Sequence, residues 1–160
     1  MRFRLTPELC YLAGLAGRSN EPERSMVGIR TQNDTIEERF IKYLLAQGVD
    51  TKKIMVEQDG TFRHIYVYHS KLARQMREIM EKRSMLAKKK DGMAAAFLAG
   101  LFDSNGHVTR DTITIRKLER SDELLLELLG VHTVNSKILS IRSFLKLIDD
   151  RSALAKGISL

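Results

Sequence analysis

This chain contains itself twice, and that limits what it can fold into more than any other feature. Leu12-Ala13-Gly14-Leu15 returns as Leu98-Ala99-Gly100-Leu101, 86 residues later. The same offset pairs Cys10 with Ala96, Val27 with Ile113, Ile29 with Ile115 and Arg30 with Arg116. Further on the offset shrinks, so that Gly48-Val49 answers Gly130-Val131 and Ser70-x-Leu72 answers Ser143-x-Leu145. Matches in the same order across most of each half mark a duplicated unit. The copies span 1–82 and 91–160, joined by a basic linker at 83–90 that reads as a solvated connector. At 160 residues the chain suffices for one pseudo-symmetric domain, 1–160, whose halves share a core.

Each copy reads as the same sequence of elements. In the first, Thr6 caps a helix with Pro7 in its first turn and Glu8 near the positive end of the dipole. Residues 25–31 alternate as a strand, and Asn33 or Asp34 opens a helix that Gly48 closes. Segments 54–57 and 63–69 flank an Asp59-Gly60 hairpin turn, and Ser70 caps a last helix to about Lys82. The second copy gives a helix over 92–103 and a hairpin from 107–109 and 112–117. A helix over 121–129, a second hairpin over 131–141 and a final helix from Ser143 complete it. The expectation is an α+β fold, a duplicated α-β-β-α-β-β-α with antiparallel sheets.

Composition removes several classes. Apolar residues make up 43% and charged ones 29%, with 10 Gly and 2 Pro, which excludes disorder and fibrous repeats. The longest apolar stretch, Met93–Phe102, is about half of what a membrane-spanning helix needs, and no signal-peptide pattern opens the chain. A single cysteine, Cys10, excludes an internal disulfide framework and a cysteine-based zinc cage. The four histidines lack metal-ligand spacing. An intracellular, cytoplasmic monomer is expected. The net charge of +7 favours a polyanionic partner.

The repeated helices are dense in small residues: Cys10, Ala13, Gly14 and Gly17 in one, Ala96, Ala99 and Gly100 in the other. Cys10–Gly14 and Ala96–Gly100 lie four apart on one helical face, where small side chains let two backbones approach. Glycine inside a helix costs about 1 kcal/mol against alanine, and close packing of the two copies offsets it.

Leu12-Ala13-Gly14-Leu15-Ala16-Gly17-Arg18-Ser19-Asn20 and Leu98-Ala99-Gly100-Leu101-Phe102-Asp103-Ser104-Asn105-Gly106 resemble the nine-residue signature of the LAGLIDADG homing endonucleases. The second copy matches six positions and the first four. With the element order of each half, the resemblance covers nearly the whole chain and suggests a single-chain, two-motif member. It implies a saddle in which two signature helices meet at the pseudo-dyad beneath two antiparallel sheets that arch over duplex DNA, with cleavage by divalent metal ions. That chemistry requires a carboxylate at the eighth signature position of each copy, because Mg²⁺ demands anionic oxygen. Those positions hold Ser19 and Asn105. Asp103, at the sixth, belongs to a position that is chiefly structural in the family, and its counterpart is Gly17. No catalytic residue and no metal or other cofactor is therefore expected. Glu21, Glu23 and Asp111 are the acids available as substitutes, with Mg²⁺, if cleavage survives.

Alternation in the strands puts Val27, Ile29, Ile113 and Ile115 toward the helices and Arg30 and Arg116 on the open face. Arg24, Arg63, His64, Lys117, Lys137 and Arg142 fall at strand ends or hairpins nearby, and Tyr66 and Tyr68 alternate with Ile65 and Val67. The resulting expectation is a non-cleaving nucleic-acid-binding protein, with duplex DNA favoured over RNA. An active metal-dependent endonuclease, an RNA-binding splicing cofactor of the maturase kind and a protein-interaction module are the alternatives.

Overall fold

The computed structural model describes residues 1–18, 25–90 and 92–158. The first half comprises α1 (Pro7–Ala16), β1 (Met26–Thr31), α2 (Asp34–Ala46), β2 (Met55–Asp59), β3 (Phe62–Tyr68) and α3 (Ser70–Glu81). The second comprises α4 (Met93–Asn105), β4 (Gly106–Val108), β5 (Ile113–Ile115), α5 (Arg120–Leu128), β6 (Thr133–Val134), β7 (Lys137–Ile138) and α6 (Ile141–Ile148). The fold is α+β, and both sheets are antiparallel, ordered β1-β3-β2 and β4-β5-β7-β6.

Local chemistry explains most boundaries. Thr6 accepts a hydrogen bond from the Leu9 amide with Pro7 just behind it, and Asn33 accepts from Ile36. Five readings shift. His69, not Ser70, caps α3, its Nδ1 accepting from the Leu72 amide. The first hairpin turns on Gly60-Thr61, because Asp59 still pairs with Phe62 and Gly60 takes the left-handed φ of +62°. α4 runs on to Asn105, and α6 starts two residues before Ser143. The linker is solvated only in part: residues 88–90 are exposed, but Arg83–Lys88 forms a 3-10 turn in which Arg83 and Leu86 are buried.

The repeat meets itself at α1 and α4. Every residue from Leu9 to Ala16 and from Ala94 to Asp103 is buried, as befits helices apolar on all sides. A Cβ on Gly14 would stand 2.0 Å from the Phe97 carbonyl oxygen and 2.8 Å from the Leu101 nitrogen. A Cβ on Gly100 would stand 2.1 Å from the Tyr11 carbonyl oxygen and 2.8 Å from the Leu15 nitrogen. Each glycine thus lies on the partner helix between the dyad mates of its own neighbours, and neither position admits a side chain. Cys10 faces α4 as well, its sulfur 3.9 Å from that of Met93, and Ala13, Ala96 and Ala99 are fully buried beside these contacts. Gly17 departs from the expectation. Its missing Cβ makes room for the Met80 side chain of α3, not for α4.

One hydrophobic cluster runs through both halves. The sheets contribute Val27, Ile29, Ile65, Val67, Ile113 and Ile115, all buried, which leaves the alternate residues of each strand on the outer face.

Candidate nucleic-acid interface

The C-terminal ends of α1 and α4 open into a cleft of about 730 Å³. Arg18, Ser104, Asn105 and Gly106 line it from the helix ends, and Met26, Gly28 and Arg30 from β1. Phe62 and His64 of β3 and Arg116 and Lys117 beyond β5 complete the rim. The residues predicted from sequence divide around this cleft. Arg30, His64, Arg116 and Lys117 all line it. Lys137, paired with Thr114 and exposed, stands on the outer face of the second sheet. Arg24 lies outside the described residues, as do Ser19, Glu21 and Glu23.

Two placements differ from the sequence reading. Arg63 shares the inward parity of Ile65 and Val67, so it turns to the helix side and holds the Glu37 carboxylate of α2 at 2.7 Å. Arg142 sits in the first turn of α6 and not at a strand end. Arg30 keeps its outward place, but the Asp59 carboxylate lies 2.9 Å away, so its charge is partly matched.

The helix ends show what stands where the resemblance asks for acids. Asp103 is buried, and both of its oxygens are occupied. They accept from the Tyr11 hydroxyl (2.5 Å), the Ser152 hydroxyl (2.6 Å) and the amides of Ala153 and Leu154 (2.9 and 3.1 Å). Burial, then the neighbouring Asp103 charge, pushes the Tyr11 hydroxyl well above the usual phenol range, so Tyr11 serves as a fixed donor. Asp103 therefore ties α1, α4 and the C-terminal segment together. Asn105 is a clip between α4 and β5: its Nδ2 donates to the Arg116 carbonyl at 3.3 Å, its own carbonyl accepts from the Arg116 amide at 2.8 Å, and its Oδ1 accepts from the Ser104 hydroxyl at 2.7 Å. Asp111 is exposed in the β4–β5 turn, and the strand rise puts it about 13 Å along the hairpin from Asn105.

The resemblance implies divalent ions here, and the described residues do not fit them. The only carboxylate among the described lining residues is consumed by four donors, and the amide oxygen of Asn105 is engaged. No group of three or more His, Cys, Asp or Glu among the described residues is placed to hold a metal.

Sequence reasoning missed an ion network beside the cleft. Asp122 of α5, fully buried, pairs with Arg18 and, at 2.7 Å, with Arg83. Glu119 lies 3.0 Å from Arg83 and 3.6 Å from Arg18, and completes a reciprocal cap with Asp122. The Arg18 guanidinium also donates to the Lys117 carbonyl at 2.6 Å, where Lys117 takes a left-handed φ of +59°. Burial lowers the Arg18 pKa, with Glu119 opposing the shift. Elements of the first half, the linker and the second half thus converge on one carboxylate. The available signal was Asp122 three residues after Glu119, a capping pattern.

No protein-family model matches the chain, and no curated protein matches it. Solved structures do. I-DmoI in complex with DNA and Mn aligns with a TM-score of 0.64 at 18% identity, covering 92% of this chain and 97% of that one. I-DmoI with DNA and Ca aligns with the same score over 91% and 88%. The N-terminal LAGLIDADG domain of DUF199/WhiA aligns with a TM-score of 0.58 at 16% identity, over 100% and 86%. The paired signature helices, the two antiparallel sheets and these alignments establish that the chain has the fold of the LAGLIDADG homing endonucleases.

Proposed function

We propose that this protein binds nucleic acid, duplex DNA by preference, in the cleft between its two sheets, and does not cut it. One observation carries the reading: where a metal-dependent nuclease needs free carboxylates, the described cleft presents Arg116 and Lys117, with Arg30 partly matched by Asp59 and Arg18 held by Asp122, around a tied-up Asn105. The duplex preference draws on solved neighbours of the same fold that hold DNA. Cations along such a cleft take up phosphates and release counterions, so affinity falls with salt at a slope of roughly −0.9 per neutralised phosphate. The short second sheet, with strands of two and three residues, offers little to reach base edges in a major groove about 12 Å wide. Recognition then rests on the backbone more than on sequence.

The test is a fluorescence-anisotropy titration of labelled duplex at low and moderate salt, with plasmid nicking in Mg²⁺ and Mn²⁺ run alongside. Salt-sensitive binding with intact plasmid is expected. Absence of binding at low salt overturns the reading, and metal-dependent nicking overturns its second half.

A further inference from the structure

The outer face of the first sheet is not the charged strip that a backbone-tracking surface needs. Phe62, His64, Tyr66 and Tyr68 occupy successive outward positions of β3, and Phe62 and Tyr68 are 45% and 51% exposed. His64 and Tyr66 stack at 4.5 Å between ring centroids with 27° between planes, and Tyr66 meets Tyr68 edge-on at 5.9 Å. These rings lie across β1 because position 28 is glycine. A Cβ there would come within 2.7 Å of the Tyr66 Cβ and 3.4 Å of the His64 Nε2. The two acids on the same face have local partners: Glu57 accepts from the Tyr66 hydroxyl at 2.7 Å, and Asp59 pairs with Arg30.

We infer that this aromatic face binds unpaired nucleotides by base stacking, with the phosphates on either side held by the cationic cleft it adjoins. The inference rests on the proposed nucleic-acid cleft and names the form of ligand it takes: a duplex with a tail or junction whose bases stand out of the helix. Paired bases expose only their edges in the grooves, which hydrogen-bonding side chains read and flat rings do not. Unstacked bases offer a π-face to any aromatic ring. Phe62 and His64 are at once rungs of the ring series and lining of the cleft, so a strand held at Arg116 and Lys117 reaches the rings without leaving the surface. Single-stranded DNA and unpaired RNA share this chemistry.

The test measures the full chain against a fluorescein-labelled blunt duplex and the same duplex carrying a single-stranded tail, each made as DNA and as RNA. The tailed forms should bind at least tenfold more tightly than the blunt ones. Phe62→Leu and Tyr68→Leu keep apolar bulk but remove the ring, and each should cost the tailed form several-fold to tenfold. Substitution of Tyr68, which does not line the cleft, should leave the blunt form unchanged, and that of Phe62, which does, should cost the tailed form more than the blunt one. Circular dichroism melts verify that both variants fold, and the DNA and RNA arms separate the two sources. Equal affinity for blunt and tailed forms overturns this inference and leaves the cleft proposal standing. A tail advantage that survives both substitutions also overturns it. Failure of every probe to bind at low salt overturns both.

Discussion

The pseudo-dyad and the sheets come from the same duplication and have fared differently. At the dyad the halves remain interchangeable: Gly14 sits over Phe97–Leu101 and Gly100 over Tyr11–Leu15, with distances that agree within 0.1 Å. On the sheets the halves have parted. The first carries strands of five to seven residues and a row of rings, the second strands of two and three residues with Thr114 and Lys137 outward. A backbone-to-backbone contact has one solution and cannot drift, whereas an outer face answers only to its ligand. The helix ends beside the cleft show the same divergence: Asp103 is held by four donors, while its mate, Gly17, makes room for Met80.

Breaking the symmetric region should cost most. Gly14→Ala or Gly100→Ala drives a methyl into a backbone carbonyl, so each should lose about 3 kcal/mol or more in denaturant unfolding, and the two losses should be similar. A large difference would mean that the dyad is less symmetric than its distances. Removing the unsymmetric link comes close behind. Asp122→Ala leaves the buried Arg83 and half-buried Arg18 with only the exposed Glu119 and backbone carbonyls, and should cost about 3 kcal/mol, with Arg18→Ala relieving part of it in the double variant.

Asn105→Asp tests whether the site was merely switched off. The new carboxylate would lose the donor to the Arg116 carbonyl and face that oxygen instead, so about 1–3 kcal/mol of stability should go. Nicking should not return, as a plasmid assay in Mn²⁺ would show. Burial, with Glu8 adding to it, pushes the Cys10 thiol up to about 12 from 9.0. Above pH 9 the unfolded chain releases this proton and the folded one keeps it, so the contribution present below pH 9 is lost as pH rises toward 12. Thiol-labelling reagents at pH 8 should accordingly react with the unfolded chain and leave the native one untouched. The smallest effect belongs to the second sheet: Lys137→Ala should lower the salt slope of duplex binding by about one.

The fold was legible because its signals are local or repeated. Thr6, Asn33 and the left-handed glycines Gly48 and Gly130 mark helix ends, and alternation named the buried strand residues correctly. Legibility failed where a side chain's partner is distant in sequence. Arg63 finds Glu37, Gly17 makes room for Met80, and Arg18 and Arg83 meet at Asp122; no periodicity encodes such pairs. Arg63 was nonetheless recoverable, since the alternation that put Ile65 and Val67 inward assigns residue 63 to the same side. For the site, the absence of acids at positions 19 and 105 was plain in the sequence. That Asn105 had become a clip between α4 and β5 required coordinates.

The central claim is that the cleft retains nucleic acid after losing the means to cut it. Labelled duplex incubated with excess protein and Mn²⁺, then split between a native and a denaturing gel, tests this most directly. A retarded band in the native lane and full-length strands in the denaturing lane are the predicted result. Shortened strands that disappear when the metal is chelated would contradict it.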